Sequence, residues 1–250
     1  METWIEFGRG PLFRLAFALM VLGLLRVALL SVQEIVEALG RSRDKRVPWK
    51  EVAKQTAGWL LPFGRLWRKR PFYSTTSFAF HIGLLPVPLF LAAHVLLWKK
   101  SVGFGWPALP RDVADWLTLL AIAAGVGLFL SRVIDRRTRA LSRLQDYFWP
   151  LLLVVPFASG YLCSHAALRP GAYQNLMLLH IYSADLILIL IPFSKIAHCV
   201  LAPLSQLVST IAWKFVPGAG DKVAATLGYA DRPCWVEKAR LNPPQEVSAK

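Results

Sequence analysis

The stretch that decides how this chain is read is His180–His198, HIYSADLILILIPFSKIAH. Its centre is apolar enough for a lipid bilayer, yet it begins and ends on histidine and carries Asp185 within. An ionisable side chain in hydrocarbon is costly unless it faces a protein interior and has a partner there, so intramembrane imidazoles mark a functional site. The two histidines lie 18 positions apart. In an ideal helix that is five turns and about 27 Å of rise, so both rings are expected to point the same way at two depths.

The rest of the composition agrees with a membrane setting. Of 250 residues 55% are hydrophobic and ten are Trp, an unusual balance for a soluble enzyme. A formal charge of +14 would suggest nucleic acid in a soluble chain, but here Lys and Arg gather between apolar runs. The cysteines, Cys163, Cys199 and Cys234, have no C-x-x-C spacing, so neither a zinc site nor a self-contained iron–sulfur motif is supported. An iron–sulfur cluster would belong to a partner.

A span needs roughly 20 apolar residues. The run from Pro11 to about Val32 is too long for a signal-peptide core and has no small-residue cleavage site after it, so it reads as a retained first span. Further spans are expected over about Thr76–Trp98, Val113–Leu130, Tyr147–Leu162 and Leu176–Leu201, which makes an all-α five-helix membrane bundle. The first connection carries Arg41, Arg43, Lys45, Arg46, Lys50, Lys54, Arg65, Arg68, Lys69 and Arg70, and the third carries Arg132, Arg136, Arg137, Arg139 and Arg143. Apart from Lys99, Lys100, Arg111 and Arg169, the alternate connections are poor in positive charge. The positive-inside rule then puts the N-terminus outside and the C-terminus in the cytoplasm of a multi-pass inner-membrane protein. The chain divides into a first transmembrane helix (1–32), a basic cytoplasmic loop (33–75), a four-helix core (76–208) and a cytoplasmic tail (209–250). Within the loop, PWKEVAKQTAGWLL places Trp49, Val52, Ala53, Thr56, Trp59 and Leu60 at helical spacing with charge opposite, the pattern of an amphipathic interfacial helix. The tail has no strong period and reads as a strap for a cytoplasmic partner or as a partly disordered segment.

The second span, in FHIGLLPVPLFLAAH, contributes His81 near its cytoplasmic start and His94 more than halfway across. Because the second and fifth spans run in opposite directions, depth matches His81 with His198 on the cytoplasmic side and His94 with His180 on the outer side. His81 and His94 are 13 positions apart, about 140° off a common face in an ideal helix, but Pro86 and Pro88 between them break that register. Two sites, each flanked by neutral imidazoles on facing helices, suit bis-histidine haem, whose macrocycle also fills interior volume. Zinc or di-iron would call for carboxylates or H-E-x-x-H, which is absent.

Supporting residues have two readings each. Ser183 and Ser194 can orient the neighbouring ring nitrogens or bond their own helix backbone. Lys195 and Arg70 can pair with haem propionates or reach the surface on their own account. Gly125 and Gly127 permit close approach of a macrocycle or of a helix. Asp185 is expected to face the bundle interior, handling protons or fixing a neighbour. His165 finds no partner at its depth and is expected at the outer surface, as an interface residue or as a proton acceptor beside a quinol.

FHIGLL at the start of the second span, Leu109-Pro110 before the third, and H-x17-H ending in PFSKIAH resemble the gamma subunit of membrane-bound respiratory nitrate reductase and its relatives. These include the cytochrome subunits of heterodisulfide-reductase-like and dissimilatory sulfur complexes, and the similarity covers about Phe72–Val208. The resemblance implies a five-helix di-haem cytochrome b passing electrons between a membrane quinone pool and a cytoplasmic iron–sulfur subunit, which serves a larger catalytic subunit. It implies two haem b, one on His81 and His198 and one on His94 and His180, with quinol oxidised near the outer haem. Two departures are visible. The family has a shorter gap between its second-span histidines, and it places a quinol-contacting lysine where this chain has Ala114; Arg111, Asp115 and His165 are the candidates to substitute. A transporter or proton channel with a His/Asp relay is the rival class, and no inverted repeat supports it.

Overall fold

A computed structural model of the chain describes residues 1–41, 49–60, 70–215 and Thr226. Arg43, Lys45, Arg46, Arg65, Arg68 and Lys69 of the first connection, and Cys234 with nearly all of the tail, lie outside the described residues.

The described residues form helices and no strand: α1 (Glu2–Phe7), a π-helical turn (Gly8–Leu12), α2 (Phe13–Arg41), α3 (Trp49–Leu60), α4 (Pro71–Leu84), α5 (Pro86–Phe90), α6 (Ala92–Val102), α7 (Arg111–Ile134), α8 (Arg136–Leu141), α9 (Leu144–His165), α10 (Pro170–Leu190), two 3-10 turns (Ile191–Phe193 and Lys195–Ala197) and α11 (His198–Phe215). Among the described residues four stretches are long and apolar enough to cross a membrane: Glu2–Glu37, Arg111–Ile134, Leu144–His165 and Pro170–Phe193. A fifth is added if Pro71–Phe90 and Ala92–Val102, bent by 53° at the break, count as one span. Leu22 and Leu29 are 62% and 59% exposed on the first of these, apolar surface of the kind that lipid covers. The chain is a multi-pass membrane protein by the length and composition of its helices.

Four expected spans differ from their expected bounds. The first begins at Glu2 rather than Pro11, because Pro11, which has no N–H to give, sits in the π-helical turn that absorbs the lost bond while the helix continues. The third and fourth each extend a few residues beyond the expected ends. The fifth is not one helix over Leu176–Leu201. It stops at Leu190, passes through Pro192 and an extended Ser194 (φ −128°, ψ 178°), and restarts at His198. Ser194 accepts a hydrogen bond from the Ile196 N–H (3.2 Å) and so caps the second 3-10 turn. The five-turn register between His180 and His198 therefore does not exist.

The kink in the second span falls at Leu91, three residues beyond Pro88, rather than at the prolines themselves. Leu91 is extended (ψ 133°), which orphans the carbonyls of the preceding turn. Each finds a donor: Val87 takes the Leu91 N–H (3.1 Å) and His94 Nδ1 (3.1 Å), Pro88 takes Trp98 Nε1 (3.1 Å), Leu89 takes Trp106 Nε1 (2.9 Å) and Phe90 takes the Leu109 N–H (2.8 Å). In hydrocarbon an unsatisfied backbone group is expensive, so a broken span persists only with such replacements. At about 0.5–1.5 kcal/mol net for each bond, the set holds the break in a defined shape.

Packing is relayed through the middle helices. α4 packs on α7, α7 on α9, α9 on α10, and α10 and α11 on α2. Gly83 and Gly125 allow this closeness. A Cβ on Gly83 would lie 2.6 Å from the Leu117 carbonyl oxygen, and one on Gly125 would lie 2.5 Å from Val154 Cγ2. Phe80, Ala124 and Leu128 form one buried cluster and Val87, Ala121 and Phe157 another.

Candidate functional site

The helices that carry the four histidines make no extended contact with each other; α4 leans on α7, α10 on α9 and α2, α11 on α2 and α3, and α6 follows α5 and touches α2 through Trp98 on Phe13 and Phe17. They meet through imidazoles. The ring centroids of His94 and His180 are 6.0 Å apart with planes 5° from parallel, and those of His81 and His198 are 6.0 Å apart with planes 89° from parallel. These are the two pairs that depth alone matched.

The structure supplies a reason for each position. His81 and His180 lie inside uninterrupted helices, α4 and α10, while His94 lies in the first turn of α6 and His198 opens α11. Each pair thus joins one ring from a regular helix to one from just past a break. The breaks, not the spacings of 13 and 18 residues, set the direction of half the rings.

All four rings are anchored in the same way. Nδ1 lies on a backbone carbonyl in every case: Ser77 for His81 (2.6 Å), Val87 for His94 (3.1 Å), Pro156 for His180 (2.8 Å) and Lys195 for His198 (2.9 Å). A carbonyl oxygen only accepts, so Nδ1 carries the proton and donates. In a neutral imidazole this leaves Nε2 with a lone pair, the tautomer a metal ligand requires, and the carbonyl sets ring orientation and basicity. The serines do otherwise: Ser183 Oγ donates to the His180 carbonyl (3.1 Å) and Ser194 Oγ to that of Ile191 (3.3 Å). Of their two readings, the backbone one describes them.

Gly160 was not singled out in the sequence. A Cβ there would sit 2.8 Å from His180 Cε1 and 3.0 Å from its Nδ1. The missing side chain lets the ring lie against α9 and reach the Pro156 carbonyl. Gly160 stands four residues after Pro156, one turn of helix, so such a spacing is the signal that would have found it.

The ring spacing fits one metal between two imidazoles. A transition metal lies about 2.0–2.1 Å from an imidazole nitrogen, itself about 1 Å from its ring centre, which puts two axial rings about 6 Å apart. No group of three or more His, Cys, Asp or Glu is arranged to hold a metal ion among the described residues. Each pair can supply two axial ligands, with the remaining positions left to a macrocycle that brings its own.

The flanking charges are engaged within the protein. Lys195 Nζ contacts both Asp146 carboxylate oxygens (2.7 and 2.8 Å). Arg70 donates to Asp135 (2.6 Å) and Thr138 (2.7 Å) and lies over the Tyr73 ring. Gly127 faces a Thr76 methyl and Gly125 faces Val154 and Phe80, so both serve helix packing. Asp185 is 3% exposed, and its Oδ2 is buried without a hydrogen-bond partner among the described residues.

The three remaining candidates come together. His165 Nε2 lies 3.0 Å from Asp115 Oδ2, Arg111 Nε lies 3.8 Å from the same oxygen, and an Arg111 terminal nitrogen reaches the Ser164 carbonyl at 3.5 Å. This corrects the expectation that His165 lacks a partner at its depth. Its ring is stacked on Tyr161 (4.2 Å), with Nδ1 on the Tyr161 carbonyl (3.0 Å). Nδ1 donates there, and Nε2 faces the Asp115 carboxylate, so the ring is held between an acceptor on each side. His165 follows Gly160 by five residues, about 7.5 Å of rise along α9 from the level of His180.

No family model matches the chain, and no solved structure matches it. A protein of Nitratidesulfovibrio vulgaris is 42% identical over 149 residues, which cover 59% of this chain and 65% of that relative. The chain therefore matches less than two thirds of the relative's length, and the relative's name states no activity, ligand or partner.

Proposed function

We propose that this chain is a di-haem b membrane subunit that exchanges electrons between a quinone pool and a cytoplasmic iron–sulfur subunit of a respiratory oxidoreductase. The observation that carries the reading is the double pairing: two pairs of imidazoles 6.0 Å apart, every Nδ1 committed to a carbonyl. Bound haem would supply one-electron redox chemistry, its potential tuned by axial ligands and burial. The chain's own contribution is to hold the rings and fix their tautomers.

In this reading the bent pair is one span, giving five. The N-terminus lies outside the inner membrane and the C-terminus in the cytoplasm, since the basic connections then face inward. The His81–His198 pair is on the cytoplasmic side, toward the iron–sulfur and catalytic subunits, and the His94–His180 pair is on the outer side. Helix α3 lies on the cytoplasmic surface; Val52 packs with Leu39 and Leu207 while Lys50 and Lys54 are exposed. Lys195, three residues before His198 and half exposed, would hold a haem carboxylate in exchange for Asp146.

Quinol oxidation is assigned to the outer side, beside Arg111, Asp115 and His165. The His165–Asp115 pair is a base at the rim; Arg111 lies beside the carboxylate, and partial exposure lets a proton pass to water. Asp115→Asn and His165→Ala are expected to slow haem reduction by added quinol on the order of 10²-fold while leaving haem content unchanged. Stopped-flow reduction at full haem occupancy reads this directly, and unaltered rates would remove the pair from the site.

The proposal as a whole is tested by a pyridine haemochrome assay on the purified protein. About two haem b per chain is the expected result. A colourless protein would end the proposal and return the histidines and Asp185 to the relay of a transporter or channel.

A further inference from the structure

We infer that the two histidine pairs are built as electronically different haem sites, His94–His180 with parallel axial rings and His81–His198 with crossed ones. This deepens the di-haem reading and rests on it. The pairs share one centroid separation, 6.0 Å, and differ in the angle between ring planes, 5° against 89°.

The angle is a property of the fold. An imidazole can turn about the bonds joining it to the backbone, and a hydrogen bond at Nδ1 removes that freedom. His180 is turned by the Pro156 carbonyl of a different helix, which it reaches across Gly160. His94 is turned by Val87, whose carbonyl lies just ahead of the 53° bend. His81 points back along its own helix to Ser77, with Phe80 edge-on to it at 5.9 Å, while His198 is tied to Lys195 in the 3-10 turn. Four carbonyls from four local geometries thus fix two different alignments.

The alignment matters through the ligand field. An imidazole donates π density into the iron d orbital perpendicular to its own plane. Parallel rings load the same orbital and split the pair of d orbitals, which gives a rhombic low-spin ferric spectrum. Crossed rings load both orbitals alike and leave them nearly degenerate, which gives a strongly anisotropic spectrum dominated by one low-field peak. Axial ligands and the hydrogen bonds behind them are the protein's means of tuning haem.

The test is low-temperature electron paramagnetic resonance of the oxidised full-length chain in its membrane, after haem b has been counted by haemochrome. One rhombic and one strongly anisotropic signal of equal intensity are expected. Gly160→Ala, which presses only on His180, should shift or broaden the rhombic signal and leave the other in place. His198→Ala should remove the anisotropic signal. Two haems with two rhombic signals, two haems with two anisotropic signals, or the assignments exchanged would each overturn the inference while the di-haem reading stands. Absence of haem would instead strike the di-haem reading itself. The wild-type spectrum alone suffices if a variant does not fold.

Discussion

Replacing His180 by alanine is expected to leave about one haem b per chain in place of two, and replacing His94 to remove the same haem. His81→Ala and His198→Ala are expected to remove the other. The argument is geometric. Each ring has a single partner ring at 6.0 Å, so an alanine leaves one axial ligand where two are needed. The double substitution of one pair should then lose no more haem than either single one, because both changes act on one site. Removing one residue from each pair should leave the chain without haem. Haemochrome content and the low-spin spectrum of each variant decide this. Two retained haems in His94→Ala, or loss of different haems in His94→Ala and His180→Ala, would show that these rings do not share a site.

The second large effect is expected at a residue with no ligand atom. Gly160→Val should empty the His94–His180 site and spare the other. The first carbon of any side chain there would sit 2.8 Å from the His180 ring, closer than carbon atoms approach, and the ring cannot retreat without losing the Pro156 carbonyl at 2.8 Å. Groups that only orient a ligand typically matter by 10–100-fold in affinity, and overpacking adds about 1–3 kcal/mol of destabilisation. Gly127→Ala is the control: its Cβ would meet one Thr76 methyl at 3.3 Å, on the His81 helix but touching no histidine ring, so both haems should remain. Haem content with thermal stability separates the cases. A Gly160→Val chain that keeps both haems would deny Gly160 its role, and a Gly127→Ala chain that loses one would make the effect a general one of packing.

Much of this was legible in the residues. Apolar runs of bilayer length, the concentration of Lys and Arg in alternate connections, and histidines inside two of the runs are chemical facts that need no coordinates. Antiparallel direction alone paired His81 with His198 and His94 with His180, because depth in a slab depends on how far along a span a residue lies, which the chain order states. The loss of helical register between His81 and His94 was also there to be read from Pro86 and Pro88, since proline has no N–H to give, but the place of the bend, Leu91, was not.

Rotation about the helix axis is another matter, and only the tertiary structure decided it. The five-turn argument for His180 and His198 assumed an unbroken helix, and one extended residue, Ser194, voids it. Whether a chain restarts as helix after such a break, and in what phase, depends on which distant groups satisfy the freed backbone, as Trp98, Trp106 and Leu109 do around the second span. The partner of each Nδ1, the angle between paired rings, the meeting of Asp115 with His165 and the space left by Gly160 all arise between elements far apart in the chain. Sequence fixes what each residue can do and how deep it lies; the carbonyls and small residues of neighbouring helices fix which way it points.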